Sequence, residues 1–81
     1  MQCVVYKSIK KEGYYMYLDA QKQLEDVPEN LLALLGTLEK VMDLELTPDK
    51  KLAQASVSNV IAQLQSQGYY LQMPPKDFQQ D

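Results

Sequence analysis

Two segments near the start of the chain carry apolar side chains on both faces of an extended backbone. Residues 2–7 contain four such residues in succession, Cys3, Val4, Val5 and Tyr6. In residues 14–19, successive side chains lie on opposite faces of a strand, and both faces are again apolar. These side chains are Tyr15 and Tyr17 on one face, and Tyr14, Met16 and Leu18 on the other. Such strands are typical of a sheet that is covered on both faces. We therefore predict a central first strand, a hairpin connection over residues 8–13, and helices packed on both sides.

Two helices are predicted from apolar spacing and from residues that begin or end helices. The first has Pro28 in its first turn, a stripe of leucines, and Gly36 at its end. The second is predicted between Ser56, whose hydroxyl is expected to cap it, and Gly68. Its apolar residues at i, i+3, i+4 and i+7 are Val57, Val60, Ile61 and Leu64.

Two further strands are predicted over residues 40–46 and 69–73. In the first of them, Met42, Leu44 and Leu46 are predicted to face one way, and Val41, Asp43 and Glu45 the other. The element order is then β-β-α-β-α-β. This order predicts an α+β domain with a single sheet of about four strands and helices on both faces, an α/β/α sandwich. We assign residues 1–75 to this one domain and residues 76–81 to a short, frayed tail.

The residue inventory removes several classes of function. The chain has no histidine and one cysteine, Cys3, which excludes an internal disulfide and a zinc site built from cysteine and histidine. Its eight basic residues are all lysines and its net charge is −3, so arginine readout of phosphate or guanine is absent. No apolar run approaches the roughly 18 residues needed to cross a bilayer. We expect a cytoplasmic protein with no cofactor, no metal and no membrane partner.

No catalytic constellation is visible. Cys3 as a nucleophile would need a nearby base, and the simpler interpretation is a small buried side chain in a central strand. Asp43 and Glu45 share a predicted strand face, where an acid/base pair or a magnesium site is the functional hypothesis and a solvated face the simpler one. Two carboxylates without a third ligand do not make a site. We therefore predict a protein that is not an enzyme.

Tyrosines and lysines supply the candidate binding residues. All six tyrosines fall in predicted strands, where they either pack in the core or form an exposed face on which bases or partner side chains stack. Lysines cluster at the first hairpin and before the second helix, where they either meet in space or are dispersed solubilising charge. The hypothetical binding set is Lys7, Lys10, Lys11, Tyr15, Tyr17, Lys50, Lys51, Tyr69 and Tyr70.

Several blocks of the chain resemble the YcgL family, small bacterial proteins of uncharacterised function. The resemblance lies in the opening strand at 3–8, the second strand at 15–18, Val27-Pro28-Glu29 with Leu32 and Gly36, and the long block that ends at 67–75. It implies an α/β/α sandwich in the bacterial cytoplasm and implies no reaction. The chain departs from the family pattern at Lys7, where arginine is often expected, and in its short tail after Pro75.

Two functions from different classes follow from these observations. The first is a non-enzymatic protein-binding or adaptor domain that uses a sheet edge or its tyrosine-bearing surface. The alternative is binding of single-stranded RNA or a nucleotide through tyrosine stacking and the lysine clusters. The salt dependence of binding distinguishes these two functions, because phosphate contacts weaken steeply as ionic strength rises. The identity of a partner and the oligomeric state are left open by the sequence.

Overall fold

A computed structural model of the chain describes residues 1–50, 52 and 56–74. The strands are β1 Gln2–Ser8, β2 Tyr15–Asp19, β3 Leu38–Glu45 and β4 Tyr69–Gln72. The helices are α1 Glu29–Leu35 and α2 Val57–Gln67, and a 3-10 turn covers Leu24–Asp26. The predicted α+β class, with one four-stranded sheet and two helices, is confirmed. The predicted tail at 76–81 and Lys51 lie outside the described residues.

The four strands form one antiparallel sheet in the order β3-β1-β2-β4. The two segments that are apolar on both faces, β1 and β2, therefore occupy the two inner positions, where a strand has no solvated face. The shorter β4 and the more polar β3 are the edge strands. The prediction that the first strand is central is correct.

The buried core is divided into two clusters. The first consists of Cys3, Val5, Tyr17, Leu46, Val60 and Leu64. The second consists of Met16, Leu18, Val27 and Leu35. The register Val5 to Tyr17 in one pair and Val4 to Leu18 in the next places these clusters on opposite faces of β1 and β2. Because α2 contributes to the first cluster and α1 to the second, we call the two sides of the sheet the α2 face and the α1 face.

The edge strand β3 departs from the alternation predicted for it. Its pairing with β1 shifts register between Val5 and Tyr6, which pair with Met42 and Lys40 and leave Val41 as the extra residue of a β-bulge. Val41 consequently lies on the same side as Met42, and the prediction that it shares a face with Asp43 and Glu45 is wrong. The strand also begins earlier than predicted, at Leu38, and Leu46 follows its end.

The two helices end at the predicted glycines, but the predicted cap by the serine hydroxyl is not formed. Gly36 and Gly68 end the two helices with φ of 69° and 92°, a backbone region that side chains with a Cβ rarely adopt. Pro28 stands one position before the first helical residue, where its carbonyl accepts from Leu31 and Leu32. Ser56 is at the N-cap, but its hydroxyl caps no amide and lies 3.1 Å from the Ser58 hydroxyl. The predicted hydroxyl cap is therefore wrong.

Lysine stems cover both helix-ending glycines. A Cβ added to Gly36 would lie 3.1 Å from Cδ of Lys10, and one added to Gly68 would lie 3.4 Å from Cγ of Lys22. Each lysine thus brings its ammonium group to the vicinity of a helix carboxyl end, where positive charge is favoured. Among the described residues, no helix has the length and apolar character needed to span a membrane.

Candidate functional site

An open groove of about 390 Å³ lies on the α2 face of the sheet, in the part that α2 does not cover. Its floor comes from the inner strands and consists of Val5, Tyr15 and Tyr17. Its walls come from β3, β4 and the segment after β3, and consist of Val41, Met42, Leu44, Lys50, Leu52 and Gln72. Five of these nine side chains are aliphatic or methionine, and the two tyrosines, Lys50 and Gln72 add polar atoms. Among the described residues, the groove is therefore apolar at its centre and has one cation, Lys50, at its wall.

The bulge in β3 shapes the wall of the groove. In a regular strand the side chain of Val41 would face away from that of Met42, but the extra residue brings both to the groove. Val41 and Met42 are 45% and 46% exposed, so they present apolar surface to solvent on an edge strand. Adjoining exposed apolar side chains are typical of interaction sites and ligand-binding grooves.

Tyr17 is a fixed element of the groove floor. It is only 7% exposed, its hydroxyl donates to Oε1 of Gln72 at 3.2 Å, and its ring meets that of Tyr70 edge to face at 5.9 Å. Burial raises the pKa of the Tyr17 phenol, and the neighbouring Cys3, Tyr70 and Tyr15 raise it further. The phenol therefore stays protonated at neutral pH, as a hydrogen-bond donor inside the fold. Its ring is not a free stacking platform.

Tyr15 is half-buried and lies where two open spaces of the surface meet. It lies in β2 opposite Lys7 of β1, and it lines both the groove and a second hollow of about 360 Å³. We call this second space the hairpin hollow, and its lining residues are Lys7, Ser8, Ile9, Glu12, Gly13 and Tyr15. Lys7 also lies 3.6 Å from a carboxylate oxygen of Glu39. Tyr15 therefore lies between the groove, which Lys50 lines, and the hairpin hollow, which Lys7 lines.

The other tyrosines are used in packing. Tyr70 lies on the α2 face against Tyr17, while Tyr69 packs with the cluster on the α1 face. Tyr6 also packs with the α1-face cluster. Tyr14 precedes β2, which corrects its assignment to the strand, and Nζ of Lys11 lies 5.7 Å from the centre of its ring. All six tyrosines are described, and each is at least partly buried.

The lysines that the structure describes are not gathered into one patch. Lys7 and Lys50 line the two adjoining spaces, but Lys10 packs on Gly36 at the end of α1, and Lys11 lies over Tyr14. Of the nine hypothetical binding residues, the structure brings Lys7, Tyr15, Tyr17 and Lys50 to the groove and the hairpin hollow. Lys51 falls outside the described residues. The remaining four lie elsewhere.

The carboxylates of β3 lie on a solvated surface. Asp43 is exposed and pairs with Lys40, whose Nζ lies 3.1 Å from Oδ2 of Asp43. Glu45 is exposed as well. In the described part of the chain, no three cysteine, aspartate or glutamate side chains come close enough to hold a metal ion. The geometry therefore gives the hypothesis of an acid/base or magnesium pair no support.

The comparisons with known proteins agree with the resemblance noted in the sequence. The model of the YcgL domain matches residues 3–75. This chain belongs to the YcgL family. A YcgL domain-containing protein of Saccharophagus degradans is 51% identical over 71 residues, which cover 88% of this chain and 78% of the relative. Another, of Cellvibrio japonicus, is 49% identical over 73 residues, covering 90% of this chain and 74% of the relative. A third, of Stutzerimonas stutzeri, is 44% identical over 75 residues, with coverage of 93% and 77%.

Six groove residues of this YcgL domain were not among the sequence candidates: Val5, Val41, Met42, Leu44, Leu52 and Gln72. The apolar ones look like ordinary core positions in the sequence. The residues around Val41 give no sequence signal for the bulge that places Val41 on the same face as Met42. Gln72 alone carried a signal, since its alternation with the tyrosines of β4 places it on the face of Tyr70.

Cys3 is held as a neutral thiol. It is 1% exposed, and burial raises its pKa from 9.0 to about 11, with Asp19 adding to the rise and the N-terminal ammonium opposing it. A thiolate, the nucleophilic form, is therefore disfavoured at neutral pH.

This burial predicts a specific pH dependence of stability. Between pH 9 and about 11 the unfolded chain loses the thiol proton while the folded chain keeps it, so the free energy of unfolding falls as pH rises. The folded pKa is raised, hence the contribution is intact below pH 9 and lost above it. Urea unfolding of the native chain and of Cys3→Ala across this range isolates the effect, because the other groups titrate in both proteins. We expect the difference between the two proteins to change with pH in this window, and a constant difference would contradict the assignment.

Proposed function

We propose that this YcgL domain is a non-enzymatic protein-binding module whose groove receives a short acidic segment of a partner protein. The observation that supports this most is the composition of the groove: its described lining has an apolar centre, a cation at Lys50 and no carboxylate. An apolar side chain of the partner would pack against the floor, and an adjacent carboxylate would lie at Lys50. The groove volume is at the low end of ligand clefts, which run from about 300 to 1,000 Å³.

The physical properties of the floor support this proposal. Tyr17 is already locked by its hydrogen bond to Gln72 and its contact with Tyr70, so it has little rotamer freedom left to lose on binding. Tyrosine also combines apolar contact area with a polar hydroxyl. A partner side chain placed there would find a preorganised surface, and preorganisation lowers the entropic cost of association.

The proposal predicts that changes at the groove wall weaken partner binding without unfolding the domain. The partner is first captured from a cell lysate by the tagged protein, identified, purified and titrated against the variants. Lys50→Glu reverses the only described cation of the groove, and Met42→Gln removes apolar contact from an exposed position. We expect each to weaken binding about tenfold, the equivalent of roughly 1.4 kcal/mol.

Matched controls are available elsewhere in the chain. Lys22→Glu reverses a lysine outside the groove, and Met73→Gln changes an exposed methionine that does not line it. Both controls are expected to bind as the native protein does. Equal affinity of the groove variants and their controls, with the far-UV circular dichroism unchanged, would exclude the groove as the binding surface.

Single-stranded RNA binding is the second candidate, and one observation favours it. Tyr15 adjoins both Lys7 and Lys50, which is a stacking surface between two cations. If RNA is the ligand, RNase treatment abolishes capture in the pull-down. The affinity for a polyuridine oligonucleotide then falls as salt is added, and the logarithm of the binding constant against the logarithm of the salt concentration has a slope of about −0.7 for each phosphate contacted. Capture that survives RNase and high salt would exclude this candidate.

We also propose a layer arrangement and a cellular location for the domain. The first is the three-layered α/β/α arrangement, supported by the separate clusters to which α1 and α2 contribute on the two faces of the sheet. The second is action in the bacterial cytoplasm, for which the support is the bacterial origin of the relatives.

A further inference from the structure

The edge strand β3 is the longest strand of the sheet, and β1 is its only described neighbour. Such an edge presents backbone amide and carbonyl groups that another strand is able to pair with. Proteins commonly protect edges with charged side chains and bulges, and β3 has both. The arrangement of these features in β3, however, is self-complementary.

The bulge gives β3 a symmetric distribution of side chains between its faces. Pairing with β1 places Glu39, Met42 and Leu44 on the α2 face and Leu38, Lys40, Asp43 and Glu45 on the α1 face. Val41 joins the α2 face, since it lines the groove with Met42. Two residues at equal distances from the midpoint between Val41 and Met42 therefore always share a face. In a regular strand they would lie on opposite faces.

This symmetry permits antiparallel pairing with a second β3 about a two-fold axis at that midpoint. Directly opposite residues in an antiparallel pair must share a face, and here they do along the whole strand. Val41 meets Met42 of the second copy on the α2 face. Lys40 meets Asp43 of the second copy on the α1 face, and the two-fold axis repeats both contacts.

The division of side chains between the two faces selects this register over its neighbours. Moving the midpoint half a residue towards the start of the strand sets Glu39, on the α2 face, opposite Asp43 of the second copy, on the α1 face. Moving it half a residue the other way sets Glu39 opposite Glu45, again on the other face. Directly opposite residues then no longer share a face, whereas the central register keeps each pair on one face and gains two opposite-charge pairs. Lys40 and Asp43 are both exposed and already lie 3.1 Å apart in one copy, so they are available to exchange partners.

We propose that two copies of this chain associate through β3 into an isologous dimer with a continuous eight-stranded sheet. Backbone pairing and burial of Val41 and Met42 hold the copies together, and the matched faces with their opposite charges set the register. The grooves of the two copies then adjoin across the axis. Val41 and Met42 also line the groove of the function proposed above. Lys40 and Asp43 lie on the opposite face of the sheet, so substitutions of these two residues test the dimer separately from binding at the groove.

The test uses charge reversal and measures molar mass by light scattering or sedimentation over a range of protein concentrations. The native chain is expected to have the mass of two chains. Lys40→Glu places a glutamate opposite Asp43 of the second copy, and Asp43→Lys places a lysine opposite Lys40, so each variant alone is expected to have the mass of one chain. An equimolar mixture of the two variants restores both opposite-charge contacts and is expected to return to the mass of two.

The mixture separates pairing between copies from pairing within one copy, because neither variant regains its own internal ion pair on mixing. The double variant Lys40→Glu/Asp43→Lys, which is self-complementary again, is expected to dimerise alone. Circular dichroism confirms that each variant folds, as expected for exposed positions. A native chain with the mass of one copy at all concentrations, single variants that remain dimers, or a mixture that stays monomeric would each overturn the proposal.

Discussion

Replacing Leu35 with alanine is expected to lower the free energy of unfolding by about 2–5 kcal/mol, the range for a large aliphatic side chain removed from a close-packed core. Leu35 is 1% exposed and belongs to the cluster on the α1 face, with Met16, Leu18 and Val27. Its removal leaves a cavity that the inner strand β2 cannot fill by shifting, because β2 is paired on both sides.

The adjacent residue supplies a matched control. Leu34 stands in the same helix, has the same side chain and is 45% exposed. Leu34→Ala is expected to change the free energy of unfolding by no more than about 0.5 kcal/mol. Urea denaturation of both variants measures the difference. Similar losses for the two leucines would mean that α1 does not pack on the sheet through Leu35.

Ser8→Ala is expected to lower the free energy of unfolding by about 1–3 kcal/mol, although it removes a single oxygen atom. The buried Ser8 hydroxyl donates to the carbonyl of Leu35 at 2.6 Å and accepts from the amide of Lys11 at 2.8 Å. One side chain thus connects the end of β1, the hairpin and the last turn of α1. Alanine leaves the buried carbonyl of Leu35 without this donor and the amide of Lys11 without this acceptor.

Ser66→Ala is the control for this substitution. The Ser66 hydroxyl is exposed and donates to the carbonyl of Gln63 in its own helix at 3.3 Å, so water is able to replace it. Alanine also has the higher helix propensity, and the variant is expected to be as stable as the native chain or slightly more so. Thermal or urea unfolding distinguishes the two serines. A Ser8→Ala variant of native stability would show that water replaces the hydroxyl at both groups.

The parts of the fold that the sequence predicts are those set by local pattern. Apolar side chains on both faces identify β1 and β2 as strands of a covered sheet, and glycines able to adopt positive φ mark where α1 and α2 end. The bulge at Val41 was not predictable in this way, because it depends on how β3 pairs with β1. The hydrogen bond of the Ser8 hydroxyl was not predictable either, since the carbonyl of Leu35 that accepts it is 27 residues away in the chain.

The candidate site was predicted in part for the same reason. Tyr15 and Tyr17 alternate with the α1-face residues of β2, so one face was assigned to them correctly. Lys50 could be named as a candidate cation, but its position at the groove depends on the path of the chain after β3. The distance of Lys10 and Lys11 from the groove depends on the conformation of the hairpin, which composition does not specify.

The strand order also relates to the direction in which the chain is synthesised. The inner hairpin of β1 and β2 is synthesised before α1 and β3. The side of that hairpin formed by Cys3, Val5 and Tyr17 has no helix to cover it until residues 57–67 have been made. The second edge, β4, pairs with β2 across more than fifty intervening positions, as in Tyr17 with Tyr70. A nascent chain of this protein therefore exposes apolar sheet surface until α2 and β4 have been made, and chaperones bind such transiently exposed surfaces.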